Sequence, residues 1–210
     1  MKLAKSLDRL GTETAFSVLA EAKKLEAAGK PMIHLGLGQP DFKTPKHIVD
    51  AAKKALDDGH HGYVLSNGIL ECRQAVTRKI KKLYNQDIDP ERIIIMPGGK
   101  PTMSYAIQCF GEPGVEIIHP TPAFPIYESM INFTGAKPVP YDLTEDKDLK
   151  FNPEKILSLI TEKTRLLVLI NPNNPTGSFV DKSDIDVLAE GLKKHPHVTI
   201  LSDEIYSRQI

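Results

Sequence analysis

With 210 residues, 40% of them hydrophobic, the chain is long enough to bury a substantial core, as one large domain or as part of a bigger one. Lys plus Arg and Asp plus Glu both number 27, and no basic stripe stands out, which argues against nucleic acid or an anionic membrane as a partner. No window approaches the roughly 18 consecutive apolar residues of a membrane span, and Met1 to Ser6 carries no apolar signal region, so a cytoplasmic protein is expected. Cys72 and Cys109 lack any metal or redox spacing. They read as buried or half-buried thiols in a reducing compartment, and no metal site is expected.

The first predicted helix covers residues 14–28, with Ala15, Val18, Leu19, Ala22 and Leu25 on one face and Gly29 as its stop. A short extended segment, Met32 to Leu35, leads into the irregular turn Gly36-Leu37-Gly38-Gln39-Pro40. Thr44-Pro45 reads as a cap followed by a first-turn proline. The helix it opens has Ile48, Ala51, Ala52, Ala55 and Leu56 as its buried stripe and ends at Gly59. After the loop Gly62 to Gly68, a third amphipathic helix carries Ile69, Cys72, Val76, Ile80 and Leu83.

From Arg92 the pattern becomes strands alternating with helices, which predicts a parallel sheet. Ile93 to Met96 reads as the first strand, with Gly98-Gly99 as its exit and Pro101 opening a helix through Met103, Ala106, Ile107 and Phe110. Val115 to Ile118 reads as the second strand, ending at His119-Pro120. Ala136 to Pro140 reads as a third, placed at an edge by Pro138 and Pro140. Glu145 to Lys150 is expected to be a solvated loop. The run Leu166 to Ile170 reads as a strand buried on both faces and breaks into Asn171-Pro172-Asn173-Asn174-Pro175-Thr176-Gly177. A helix over 183–194, with Ser183 and Asp186 as a capping box, then leads to the strand Val198 to Leu201 and to Ser202-Asp203-Glu204-Ile205-Tyr206. Strand, helix, strand at this spacing makes the two strands parallel neighbours, about 4.8 Å apart. Asn174 and Asp203 should therefore face one crevice at the carboxyl ends of the sheet.

Gly98-Gly99-Lys100, after a strand and opening a helix, has the form of a phosphate-binding turn, though such a turn also occurs without a ligand. Phe124, in Pro122-Ala123-Phe124-Pro125, is either a core aromatic or a platform for a flat ligand. Asp203 is either a helix cap or a carboxylate offered to a ligand. Taken together, an anion cradle, an aromatic lid, an amide, a carboxylate and the Tyr206 phenol suit a small, planar, phosphorylated aromatic cation. A carboxylate beside its ring nitrogen keeps that nitrogen protonated and makes the ring an electron sink.

These residues give the chain its resemblance to the front half of a class I/II, fold type I, pyridoxal-phosphate-dependent aminotransferase, nearest the aspartate aminotransferase branch. The matching stretches run in order from Gly11-Thr12-Glu13-Thr14-Ala15-Phe16 through Gly38-Gln39-Pro40-Asp41-Phe42, Tyr63 to Gly68 and Pro97-Gly98-Gly99-Lys100. They continue with Asn173-Asn174-Pro175-Thr176-Gly177 and Ser202-Asp203-Glu204-Ile205-Tyr206. The resemblance implies an α/β, three-layer α/β/α large domain with a mostly parallel sheet, incomplete in this chain. Residues 1–44 would form an N-terminal arm and part of a small domain, and 45–210 a partial cofactor-binding domain. Asp203 would pair with the pyridinium nitrogen, while Asn174 and Tyr206 would bond the ring's phenolic oxygen. Phe124 would stack on the ring, and the backbone around Gly99 and Lys100 would hold the phosphate. Tyr63 would reach the phosphate of the partner subunit in a homodimer. Gly38, Lys100 and Asn174 would stand on the substrate side, Gly38 admitting the α-carboxylate and Lys100 a distal carboxylate. The substrates implied are an amino acid, aspartate or one like it, and a 2-oxo acid.

One departure is large. The family's Schiff-base lysine lies roughly 30 residues beyond the Asp-x-x-Tyr element, and transamination needs that amine to move the substrate proton. Only Ser207, Arg208, Gln209 and Ile210 follow Tyr206, so the lysine would lie beyond Ile210 and no catalytic residue is expected in this chain. A truncated chain without turnover of its own is expected, its strand at Ile93 to Met96 missing its neighbours. Two other readings stay open on the same residues. One is a β-eliminating lyase, and the other is a fragment that binds the cofactor without chemistry.

Overall fold

The computed structural model describes residues 2–11, 14–36, 38–144 and 148–208, with only the backbone of 14–16. Thr12, Glu13, the place of Ala15 on its helix, Leu37 and the first half of the expected loop at Glu145 to Lys150 lie outside the described residues. So do Gln209 and Ile210, and the expectation of a Schiff-base lysine beyond Ile210 therefore falls outside them as well. The chain divides into two compact units, one of residues 1–13 and 100–210 and one of residues 14–99.

The larger unit is built on four parallel strands: β1 (Glu116–Thr121), β2 (Lys137–Asp142), β3 (Thr164–Ile170) and β4 (Thr199–Asp203), in the order β2-β1-β3-β4. Side chains alternate along each strand, and two cores result. Ile117, Leu166, Val168 and Ile170 face one way, into a cluster with Ile107 of α4 (Gly99–Phe110) and Tyr127, Met130 and Ile131 of α5 (Ile126–Thr134). Ile118 and Leu167 face the other way, against Ile156 of α6 (Pro153–Ser158) and Leu188 and Leu192 of α7 (Lys182–Leu192). The expected three-layer α/β/α arrangement, with a parallel sheet, is present.

The strand boundaries differ from expectation in an instructive way. β1 does not end at His119-Pro120 but runs through them, with Pro120 opposite Tyr141 of β2. On its other side, β1 pairs with β3 only over Glu116 to Ile118. The missing N–H of Pro120 therefore falls where no ladder is made on that side, which is how an inner strand tolerates proline. β2, with Pro138 and Pro140, is an edge strand as expected. The helix over 183–194 starts at Lys182, and the capping box is not formed: no side chain caps it, and Asp186 instead accepts from Lys182 at 2.5 Å. α5 and α6 had no counterpart in the sequence reading.

Glu116 anchors the amino end of the sheet. It is 9% exposed, and its carboxylate accepts from the Thr161 hydroxyl at 2.6 Å and from the Lys137 ammonium at 2.9 Å. The Thr161 hydroxyl first, and Lys137 second, hold its carboxyl below the usual range. A carboxyl lowered by folding adds stability that is complete above its unfolded value of about 4.3 and is lost as pH falls through the folded value. Glu116→Gln is therefore expected to lower the melting temperature at neutral pH and to flatten its decline below about pH 4.3. Identical acid limbs in the two proteins would contradict this.

The smaller unit contains α1 (Thr14–Ala27), α2 (Lys46–Asp57) and α3 (Leu70–Tyr84). Gly29 and Gly59 follow α1 and α2 at positive φ, as expected of helix stops. The packing expected of these helices is largely not realised. On α1, Leu19, Ala22 and Leu25 are half-buried but Val18 is exposed, and on α3 Cys72, Val76 and Ile80 are half-buried while Leu83, and Ile69 just before the helix, are exposed. On α2 only Ala55 is half-buried, while Ile48 and Leu56 are 51% and 63% exposed. The apolar stripe is there, but no element among the described residues covers it. Thr44 is not the cap of α2 either. Pro45 occupies the flanking position, one residue later than read, and no side chain caps the end.

Ile93 to Met96 is not a strand. Among the described residues it has no ladder partner, and the Ile95 N–H bonds instead to the Asn67 carbonyl at 3.1 Å. Ile94 is 64% exposed. Cys72 is half-buried as read, but Cys109 is exposed, so burial does not extend to both thiols.

Candidate active site

The carboxyl ends of β3 and β4 create the site. Register places Ile170 opposite Asp203, and one residue further the Asn171 N–H bonds to the Asp203 carbonyl at 3.1 Å. The chain leaving β3 is held closely. Asn173 is buried, exchanges backbone hydrogen bonds with Gly177 and Ser178, and accepts from the Thr176 hydroxyl on Oδ1 at 3.0 Å. Asn171 Oδ1 accepts from the Val180 N–H at 3.1 Å, and Ser178 Oγ donates to the Leu149 carbonyl at 2.7 Å. Asparagine and threonine are suited to such work because their side chains mimic backbone turns. The result is that Asn174 is presented from a braced loop, half-buried.

Asn174 Nδ2 donates to the Tyr206 hydroxyl oxygen at 3.1 Å. That leaves the second N–H of the amide and the phenol's own proton available for a further acceptor. These are two donors side by side, three residues past Asp203 on one arm and past Asn171 on the other. Asp203 is half-buried, with Oδ1 accepting from the Ile205 N–H at 3.2 Å and Oδ2 from the Tyr127 hydroxyl at 2.5 Å. The Ile205 contact has the form of a helix cap, but no helix follows it among the described residues; the Tyr127 contact has no counterpart in the sequence reading. Tyr127 is 0% exposed, and burial first, then Asp203, pushes its phenol far up from its ordinary value, so it remains a donor. A buried tyrosine needs an acceptor, a signal that exists only once the fold has buried it.

Phe124 packs partly against the core cluster on the α4–α5 side, and the Lys100 ammonium stands 5.8 Å from its ring centroid. The ring is half-buried, so the core reading of Phe124 holds in part. α4 begins at Gly99, two residues before the expected Pro101, so Gly99 and Lys100 lie in its first turn at the positive end of the macrodipole. Gly98 precedes it at φ +105, a conformation that favours glycine.

Asn174, Tyr206, Asp203, Phe124 and Lys100 all belong to the larger unit. Gly38 and Tyr63 belong to the other. Tyr63 is fully exposed on its loop, and a Cβ added at Gly38 would meet nothing within 4 Å. Near Tyr63, Val64, Leu65, Ile69, Cys72, Ile95 and Met96 line an apolar hollow of about 430 Å³.

Residues 30–209 match the family model of aminotransferase class I and II. The chain belongs to that family. It is similar to the aspartate aminotransferase of Bacillus subtilis, with 37% identity over 208 residues, 99% of this chain and 53% of that protein. It is also similar to the probable aspartate aminotransferase of Methanocaldococcus jannaschii, with 40% identity over 178 residues, 85% of this chain and 47% of that protein. Among solved structures, the aspartate aminotransferase from Rhizobium meliloti superposes with a TM-score of 0.91 at 30% identity, over 97% of this chain and 51% of that one. The alanine aminotransferase from Pyrococcus furiosus gives 0.92 at 30% identity, over 99% and 53%. The chain spans about half the length of these relatives.

Proposed function

We propose that this chain is the amino-terminal half of a pyridoxal-phosphate-dependent aminotransferase, whose whole protein moves an amino group between an amino acid, aspartate or one similar to it, and a 2-oxo acid. The observation that carries the reading is the pairing of Asn174 with Tyr206, together with the doubly held Asp203, at the carboxyl ends of two adjacent parallel strands. The donor set fits the cofactor. Its phenolic oxygen calls for donors, which Asn174 and Tyr206 supply, and its protonated ring nitrogen calls for an anionic acceptor, which Asp203 supplies.

When bound, pyridoxal phosphate provides a ring that takes up the electrons released at the substrate's Cα. Asp203 would hold the proton on the ring nitrogen through its charge. Asn174 and Tyr206 would stabilise negative charge at the ring oxygen through fixed donors that need no reorganisation. Phe124 would cover one ring face and keep water from it. Gly99 and Lys100, in the first turn of α4, would hold the phosphate. Lys100, Gly38 and Asn174 would orient the substrate's carboxylates. Covalent anchoring and proton transfer at Cα would need a lysine amine, and no lysine of these 210 residues matches that position. In the whole protein, residues 1–44 belong to an arm and small domain, and 45–210 to the large domain. Tyr63, exposed on its loop, would serve the phosphate of a second copy, making a homodimer. The two unpaired thiols accord with a reducing cytoplasm.

The test is titration of the purified whole protein with pyridoxal phosphate, followed by assay with aspartate with and without a 2-oxo acid. Saturable cofactor binding and loss of aspartate only when the oxo acid is present are expected. Pyruvate and ammonia released from an amino acid alone would contradict transfer and mark elimination, and absence of cofactor binding would contradict the whole reading.

A further inference from the structure

Tyr127 is the second residue of α5, set in the cluster that includes Ile107, Ile117, Ile131 and Val168, and it is 0% exposed. Packing alone would be served as well by phenylalanine. What the hydroxyl adds is one hydrogen bond, 2.5 Å long, to Oδ2 of Asp203, across 76 positions of sequence. The other carboxylate oxygen takes the Ile205 N–H at 3.2 Å. With one donor on each oxygen, the carboxylate can neither turn about its last bond nor change rotamer without losing a charge-assisted bond. The backbone donor moves with Asp203's own turn. Tyr127 is the one that refers the carboxylate to a different element.

That element is itself braced at its far end. The Arg9 guanidinium donates to the Asn132 carbonyl at 2.8 Å and to the Phe133 carbonyl at 2.7 Å, and Gly11 and Ser129 exchange hydrogen bonds at 2.9 and 3.3 Å. Gly135, at φ +87, ends the helix. The hydroxyl is thus carried by a helix braced toward its carboxyl end, and its position is set by the core around Tyr127.

We propose that Tyr127 is the positioning residue of Asp203, its hydroxyl fixing the plane in which that carboxylate meets the cofactor's ring nitrogen. The inference rests on the role given to Asp203 under the proposed function. The experiment is a double-variant cycle in the whole protein: wild type, Tyr127→Phe, Asp203→Ala and the pair. Two readouts are taken, the dissociation constant of pyridoxal phosphate and the 15N shift of its ring nitrogen in the loaded protein. A hydrogen bond to a charged group corresponds to about tenfold or more. Tyr127→Phe is expected to weaken cofactor binding by about tenfold and to move the 15N resonance toward that of Asp203→Ala. Adding Tyr127→Phe to Asp203→Ala should cost nothing further. Equal losses on both backgrounds would mean a role in packing only and overturn the proposal, as would a Tyr127→Phe protein with unaltered affinity and shift.

If Asp203→Ala itself leaves the affinity and the 15N shift unchanged, it is the reading of Asp203 that fails. Should Tyr127→Phe not fold, replacing Tyr127 with 3-fluorotyrosine keeps the shape and strengthens the donor. An unmoved 15N shift there would equally overturn the proposal.

Discussion

Asp203→Ala in the whole protein is expected to lower kcat/KM for amino-group transfer by about a thousandfold, since a hydrogen-bonded charge pair at a desolvated site is worth about 2–5 kcal/mol. Asp203 sits opposite Ile170, half-buried, with both oxygens already engaged by protein donors that do not neutralise it. In the proposed site its charge would serve the cofactor's ring nitrogen. Removing it would leave that nitrogen without its counter-charge, and the ring would withdraw electrons less strongly. Asp203→Asn should fare no better, because the amide keeps the shape but not the charge. Steady-state kinetics on the two variants checks this, and a loss below tenfold in both would exclude Asp203 from the chemistry.

The second large effect concerns stability. Arg73→Ala is expected to destabilise the whole protein by about 3 kcal/mol, combining unsatisfied carbonyls with the space left behind. Arg73 is the only buried residue among the described residues of the smaller unit, at 1% exposed. Its Nε donates to the Gly68 carbonyl at 3.1 Å, and its Nη1 to the Pro90 carbonyl at 3.0 Å and to Glu91 at 2.7 Å. Gly68 is itself a constrained point. Its φ is +94, and a Cβ there would lie 2.8 Å from the Ile95 side chain. One guanidinium therefore ties together the end of the 62–68 loop, α3 and the turn at Pro90. Arg73→Lys should recover less than half of the loss, since a single ammonium cannot span three acceptors in a plane. Urea unfolding curves decide, and a loss under about 1 kcal/mol for Arg73→Ala would contradict the account.

The contrast between what the sequence foretold and what it did not has a physical origin. The β3 segment was legible because five branched apolar residues followed by Asn, Pro and Gly admit few other interpretations, and β4 because the branched run Val198 to Leu201 follows after one helix; Asn174 and Asp203 come with them. Ile93 to Met96 has the same kind of run, yet a strand exists only where another strand pairs with it, and among the described residues none does. The α2 stripe failed in the same manner: its periodicity reports which face can be buried, not what lies against it. α5 and α6 escaped because nine and six residues, opening at Pro125 and Pro153, give too few turns for periodicity to register. Tyr127 was beyond reach for a different reason. Nothing in its neighbourhood names a partner 76 residues away, and only the fold brings the two together.

The claim on which the account rests is that Asn174 with Tyr206 on one side, and Asp203 on the other, hold opposite edges of one pyridine ring. A crystal structure of the whole protein loaded with pyridoxal phosphate measures this directly. The account predicts the ring nitrogen within about 3 Å of an Asp203 carboxylate oxygen, and the ring's phenolic oxygen within about 3 Å of both Asn174 Nδ2 and the Tyr206 hydroxyl. A ring bound away from Asp203, or one with its phenolic oxygen turned from the Asn174–Tyr206 pair, would contradict it.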